Sequence, residues 1–172
     1  MRTQMRDFER RDMGPVLEII QETMNVGRSP ANAIDVMNDL EGGLGTNSPD
    51  YAFLARKVVT HEKRVVAICG VYRLNTPPIG IMGICWFAVA PDHQNMGIGT
   101  RCVDWCTDVA RQEGSKSLFV WASAKAVPFY SKRGFEKSSL KITPKESSIL
   151  MVKRLTDPKN RSGPRPSQRR VA

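Results

Sequence analysis

The sequence predicts a single α/β domain over residues 1–155, a mixed central β-sheet of about six to seven strands flanked by about four helices, with a basic tail at 156–172. Three observations predict it. An apolar run at 80–90, an amphipathic segment at 97–113 and a short apolar run at 117–122 form a strand–helix–strand unit. Such a unit implies parallel pairing and a right-handed crossover. Two strand-like runs, 51–59 and 64–74, flank Thr60–Lys63 as a hairpin turn. Two helical patterns precede them.

Taken in order, residues 3–10 form a weakly patterned first strand. Asp12 is placed to N-cap a helix whose Val16, Leu17, Ile20 and Met24 recur at helical spacing. Ser29-Pro30 starts a second helix, Ser as N-cap and Pro at the first helical position. Its expected apolar face is Ala33, Ile34, Met37 and Leu40. Glu41–Asp50 is a Gly-rich loop. The run LNTPP ends the strand at 64–74. The run at 80–90 is apolar on both faces and stops at Pro91, as a central strand would. In 97–113, Ile98, Cys102, Trp105, Cys106 and Val109 share one stripe, and Gly114 ends the helix. A short helix covers about 125–133, with Gly134 in the C′ position. The runs Phe135–Ile142 and Ser147–Leu155 are the closing strands.

The chain has 172 residues, enough for one ordinary domain with a real core. No apolar run approaches the roughly 20 residues that span a bilayer. The charged N-terminus has no apolar signal region, so a cytoplasmic protein is expected. Cys69, Cys85, Cys102 and Cys106 form no C-x-x-C pair and have no histidine at metal-ligand spacing. Buried thiols in a reducing compartment, and no metal, are expected. The net charge is +9. The tail holds five basic residues and one acidic residue, leaving the body 21 basic against 16 acidic. Lys116–Arg154 carries nine Lys/Arg against Glu136 and Glu146, which suits an anionic ligand or a solvated face. The tail lacks the apolar surface to order itself and is expected to be disordered.

The richest chemical signal is Ala90-Pro-Asp-His-Gln-Asn-Met-Gly-Ile-Gly-Thr100. A helix N-terminus leaves backbone N–H groups unpaired and carries about half a positive charge. Glycines at 97 and 99 remove Cβ atoms, so a phosphate can approach the backbone. A tight strand-to-helix turn would use the same glycines. The run lacks the third glycine of a dinucleotide fold and the Lys-Ser/Thr of a P-loop.

The spacing V-x-P-x-x-Q-x-x-G-x-G, carried here by Val89, Pro91, Gln94, Gly97 and Gly99, resembles the acetyl-CoA signature of the GNAT N-acetyltransferase superfamily. The block Ala126–Phe135 resembles the family's A-x-x-F-Y-x-x-x-G-F stretch, and the order of elements agrees over roughly 3–155. The resemblance implies a GNAT-like fold with a βαβ core that binds acetyl-CoA. It implies that the strand before the loop splays from the next strand at a bulge. The backbone of Phe87, Ala88 and Val89 would then pair with the pantetheine arm. Backbone N–H groups of Gln94, Asn95, Met96, Gly97, Ile98, Gly99 and Thr100 would take the pyrophosphate. Ser123 stands where many relatives use Asn to hold the pantetheine, and Tyr130 where the family places a proton donor for the leaving thiolate.

The implied reaction is direct transfer of an acetyl group from acetyl-CoA to an amine acceptor. An alkyl amine of pKa about 10.4 must lose a proton first, and a thiolate of pKa near 8.5 benefits from receiving one. The strand 83–89 carries no carboxylate, where many relatives carry Glu. Glu22, Glu41 and Asp50 read as ordinary solvated acids, and His61 and His93 as solvent-facing. No base is assigned; a water relay is one route by which the proton could leave. The missing carboxylate also admits a non-catalytic acyl-CoA-binding module. Trp86, Tyr51 and Tyr72 could line an acceptor pocket or belong to the core. No membrane partner is expected, and nucleic acid only as weak, salt-dependent binding by the tail. Homodimerisation is left open.

Overall fold

Seven strands form one sheet in the order β1-β2-β3-β4-β5-β7-β6, in a computed structural model that describes residues 3–24, 30–42, 50–75, 81–139 and 148–155. The strands are β1 (Gln4–Asp7), β2 (Tyr51–His61), β3 (Arg64–Leu74), β4 (Met82–Val89), β5 (Ser117–Ser123), β6 (Glu136–Lys137) and β7 (Ser148–Arg154). The helices are α1 (Met13–Met24), α2 (Pro30–Gly42), α3 (Ile98–Gln112) and α4 (Val127–Ser131). The expected mixed architecture is the observed one. β4 and β5, joined through α3, are the parallel pair, and the remaining pairs are antiparallel. The Ser29 cap, the loop at 43–49, the prolines after Asn75, the run at 140–147 and the tail lie outside the described residues.

Three local readings are corrected. Asp12 does not N-cap α1. It closes a 3-10 turn, accepts the Glu9 N–H at 2.9 Å and takes both Arg6 Nη groups at 2.6 Å. Its buried carboxylate is held by charge-assisted bonds rather than by the helix end. On α2, Val36 and Leu40 are buried, whereas Ile34 is 57% and Met37 37% exposed. Two stripes were available on this sparsely apolar helix, and packing into the core selected the one through Val36. On α3, Val103, Thr107 and Ala110 are buried with Ile98, Cys102 and Cys106, while Trp105 and Val109 sit at the margin.

Side-chain alternation sorts the two faces of the sheet. Cys69 packs with Cys102 and Cys106 of α3, and the Cys106 thiol lies 3.9 Å from the Gly70 carbonyl. All four cysteines are free. A Cβ on Gly70 would point the opposite way, toward Arg56 and Cys85. Arg56 donates to the Leu40 carbonyl, so the end of α2 covers that second face.

Candidate functional site

β4 is interrupted where the site forms. Gly70 pairs with Cys85 and Ile68 with Ala88, so Trp86 and Phe87 together face Cys69. Trp86 has φ +46°, a left-handed conformation unusual for a bulky residue. This bulge inverts the alternation. Without it Phe87 would share the face of Cys85. With it Phe87 turns to the face of α3 and α4, its ring 5.8 Å from both Phe129 and Tyr130. Among the described residues β5 pairs with β4 only at Met82↔Leu118 and Gly83↔Phe119. Beyond that the two strands separate, and the β5-facing side of β4 from Ile84 to Val89 has no strand partner there. The splay and bulge expected from the resemblance are present.

The loop after β4 is braced internally. The Gln94 N–H donates to the Pro91 carbonyl at 3.3 Å. The Gln94 side chain donates to the Val89 carbonyl at 3.1 Å. Its N–H is therefore engaged in the turn. Asn95 has φ +63° and Gly97 φ +79°, and Met96 is exposed. Gly97 is the N-cap of α3, and the space where its Cβ would stand is open. Ile98 is buried and anchors the first turn. Gly99 has a different reason to be glycine: its Cβ would stand 3.2 Å from the Phe129 ring. One glycine shapes the open loop, and the other lets α4 press against α3.

Tyr130 on α4 is 4% exposed. Its ring contacts Phe87, Phe129 and Phe135. Burial pushes its phenol well above the ordinary tyrosine value, so it stays protonated and able to donate. Ser123 ends β5, is exposed and makes no side-chain cap bond.

Arg133 is the residue that sequence reasoning missed. Its guanidinium lies 3.7 Å from the Phe129 ring centroid, donates to the Phe129 carbonyl at 2.7 Å and reaches the Thr100 hydroxyl. Its Nε is buried without a partner. A cation thus sits against the first turn of α3. In the sequence it looked like a helix-terminal basic residue, and only its place before Gly134-Phe135 set it apart.

Glu22 is exposed on α1, Asp50 is exposed before β2, and Glu41 pairs with Arg10 at 3.0 Å. The two histidines meet each other instead of facing solvent separately. His61 Nδ1 is 3.0 Å from His93 Nε2, and His93 Nδ1 is 2.7 Å from the Asp92 carboxylate. Among the described residues no group of three or more metal-ligating side chains converges. No described helix is long and apolar enough to cross a membrane.

The comparisons agree with this geometry. The chain resembles an acetyltransferase of the GNAT family from Staphylococcus aureus Mu50 at TM-score 0.71 and 16% identity, covering 90% of this chain and 100% of that one. It resembles the ribosomal-protein-S18-alanine N-acetyltransferase of Escherichia coli at TM-score 0.63 and 15% identity, covering 89% and 94%. It also resembles the PaiA N-acetyltransferase of Thermoplasma acidophilum, solved in complex with coenzyme A, at TM-score 0.64 and 13% identity, covering 90% and 100%. At these identities the likeness is one of fold. The family model described as acetyltransferase (GNAT) family matches residues 15–135, and the chain belongs to that family.

Proposed function

We propose that the chain transfers an acetyl group directly from acetyl-CoA to a primary amine of a small molecule, peptide or protein. The observation that carries this reading is the opening of β4 from β5 beyond Gly83, along the stretch that holds the Trp86 bulge. It lies beside an open glycine N-cap on one side and a buried, protonated tyrosine on the other.

The residues present suit a CoA thioester. The β4 backbone at Phe87, Ala88 and Val89 offers strand hydrogen bonds to the amides of the pantetheine arm. The N–H groups of Asn95, Met96, Gly97, Ile98, Gly99 and Thr100 face a pyrophosphate, assisted by the α3 dipole. Gln94 keeps that turn in shape through Val89, and Ser123 is free to donate one bond to the arm. Bound acetyl-CoA supplies an activated acyl carbon. The amine nitrogen forms a bond to that carbon, and the carbon–sulfur bond breaks. The leaving sulfur takes a proton from Tyr130, the attacking amine loses one to water, and water returns that proton to the Tyr130 phenolate.

The test is thiol release from acetyl-CoA over a panel of amines, amino acids and peptides, beside thermal unfolding with and without CoA. Release with at least one acceptor, and stabilisation by CoA, are expected. Stabilisation without release from any acceptor would leave a binding module in place of an enzyme. Neither effect would overturn the reading altogether.

A further inference from the structure

The face of the sheet opposite α3 holds a buried cation that the chemistry above does not use. Arg56 is 7% exposed. Its Nη1 donates to the Leu40 carbonyl, its guanidinium carbon lies 4.6 Å from the Phe53 ring centroid, and its Nη2 is buried with no hydrogen-bond partner. A buried unpaired N–H is costly, and one on a charged group more so. Burial pulls the guanidinium below the ordinary arginine value, and the charge of Asp39 on α2 opposes that. The neighbouring Cys85 thiol is pushed up to about 12, chiefly by burial, so it stays neutral.

Arg56 is built into this place. It pairs with Gly70, which pairs with Cys85, so the three lie in one row across β2, β3 and β4. A Cβ on Gly70 would fall 3.0 Å from Arg56 Cγ and 2.9 Å from Cys85 Sγ. Glycine there leaves the groove along which the arginine stem runs. A register shift between Phe53 and Ala55 puts Phe53 on the same face as Arg56. The next row is Phe53, Tyr72, Gly83 and Phe119, with the Tyr72 ring 5.6 Å from that of Phe119. Directly beyond that row β4 leaves β5. The split therefore joins the face of Tyr130 to a face walled by Tyr51, Phe53, Tyr72 and Phe119, with one buried guanidinium beside them.

Resting on the acetyl-transfer reading, we infer that Arg56 anchors a carboxylate of the acceptor, and that the acceptor is an amino acid, an amine that carries its own carboxylate. The carboxylate accepts the Nη2–H as a charge-assisted bond, while the aromatic wall takes the apolar part of the molecule. Nη2 is covered, so a neighbouring group gives way as the carboxylate binds. The excess positive charge of the body agrees with an anionic substituent.

The test compares each of a set of amino acids with its amide and its decarboxylated amine. Binding is read by calorimetry with CoA present, and turnover by thiol release with acetyl-CoA. The free carboxylate is expected to improve both by about 10- to 100-fold. Arg56→Met should bring the acid-to-amide ratio near unity, and Arg56→Lys should restore part of it. Stabilisation by CoA reports that each variant is folded. If no amino acid binds better than its amide, the inference is overturned, whatever the turnover. It is equally overturned if folded Arg56→Met keeps the preference. Turnover of amides and simple amines without preference for acids would leave acetyl transfer standing and remove only the carboxylate anchor.

Discussion

The guanidinium of Arg133 reaches the hydroxyl of Thr100, and so ties the end of α4 to the first turn of α3. The same group covers Phe129, whose ring presses on Gly99. Position and charge of the proposed pyrophosphate cradle are therefore set by a residue more than thirty positions downstream. Arg133→Met and Thr100→Val should each weaken CoA binding. Their combined effect should differ from the sum by about 0.5–3 kcal/mol, as for groups in direct contact. Calorimetric titration of CoA into the two single variants and the double variant measures this. Strict additivity would show that the tie does not shape the cradle.

Gly97 and Gly99 should respond differently to alanine. At Gly97 there is room for a Cβ, but φ is +79°. Gly97→Ala should lose about 1–2 kcal/mol through backbone strain alone. At Gly99 the new Cβ meets the Phe129 ring at 3.2 Å. Gly99→Ala should lose about 1–3 kcal/mol by overpacking. Phe129→Leu should relieve the second loss and leave the first unchanged. Denaturant unfolding of the three single variants and of the two doubles with Phe129→Leu decides it, and equal rescue of both would contradict the steric assignment.

Tyr130→Phe keeps the ring among Phe87, Phe129 and Phe135 and removes the proton. With the phenol protonated by burial, kcat should fall by about 10²-fold or more while the KM for acetyl-CoA holds. Unchanged turnover across the pH range would remove Tyr130 from the acid role.

Stability should fall in alkali. Cys85 titrates at about 12 in the fold against 9.0 as its ordinary value. The unfolded chain therefore releases that proton first, and unfolding gains as pH rises. The contribution is complete below pH 9 and is lost toward pH 12. The slope approaches about 1.4 kcal/mol per pH unit for one proton. Tyr72 and Tyr130 shift in the same direction. Cys85→Ala should remove one proton from the slope between those limits, measured by urea unfolding at a series of pH values.

Asp12 acts at the other end of the scale. Burial would raise its carboxyl, but Arg6 and the Glu9 N–H outweigh burial and hold it below its ordinary 3.8. Its contribution is present above that value and is lost as pH falls through the lower folded one. Asp12→Asn should cost about 3 kcal/mol at neutral pH, the lower end for breaking a buried pair because Arg6 is partly exposed. It should also flatten the acid limb of the stability profile, which urea unfolding below pH 5 would show.

Periodicity and turn chemistry were enough to read the strand runs, the hairpin between β2 and β3, and the β4–α3–β5 unit, because these depend on residues close in the chain. The glycine spacing and the Ala126–Phe135 block carried the family resemblance for the same reason: loop, helix start and tyrosine lie on contiguous segments. Which stripe of α2 turns inward was decided by packing, since Ile34 and Val36 are equally apolar. The bulge at Trp86 is a mismatch between two strands and has no signature within either one. Arg133 acquired its place through Thr100, and Arg56 through Gly70, Leu40 and Phe53. Local sequence thus determined the elements and the turn from β4 into α3. The tertiary structure alone decided which face each side chain joined, because burial of a cation and the parity of a strand are properties of neighbours brought together only by folding.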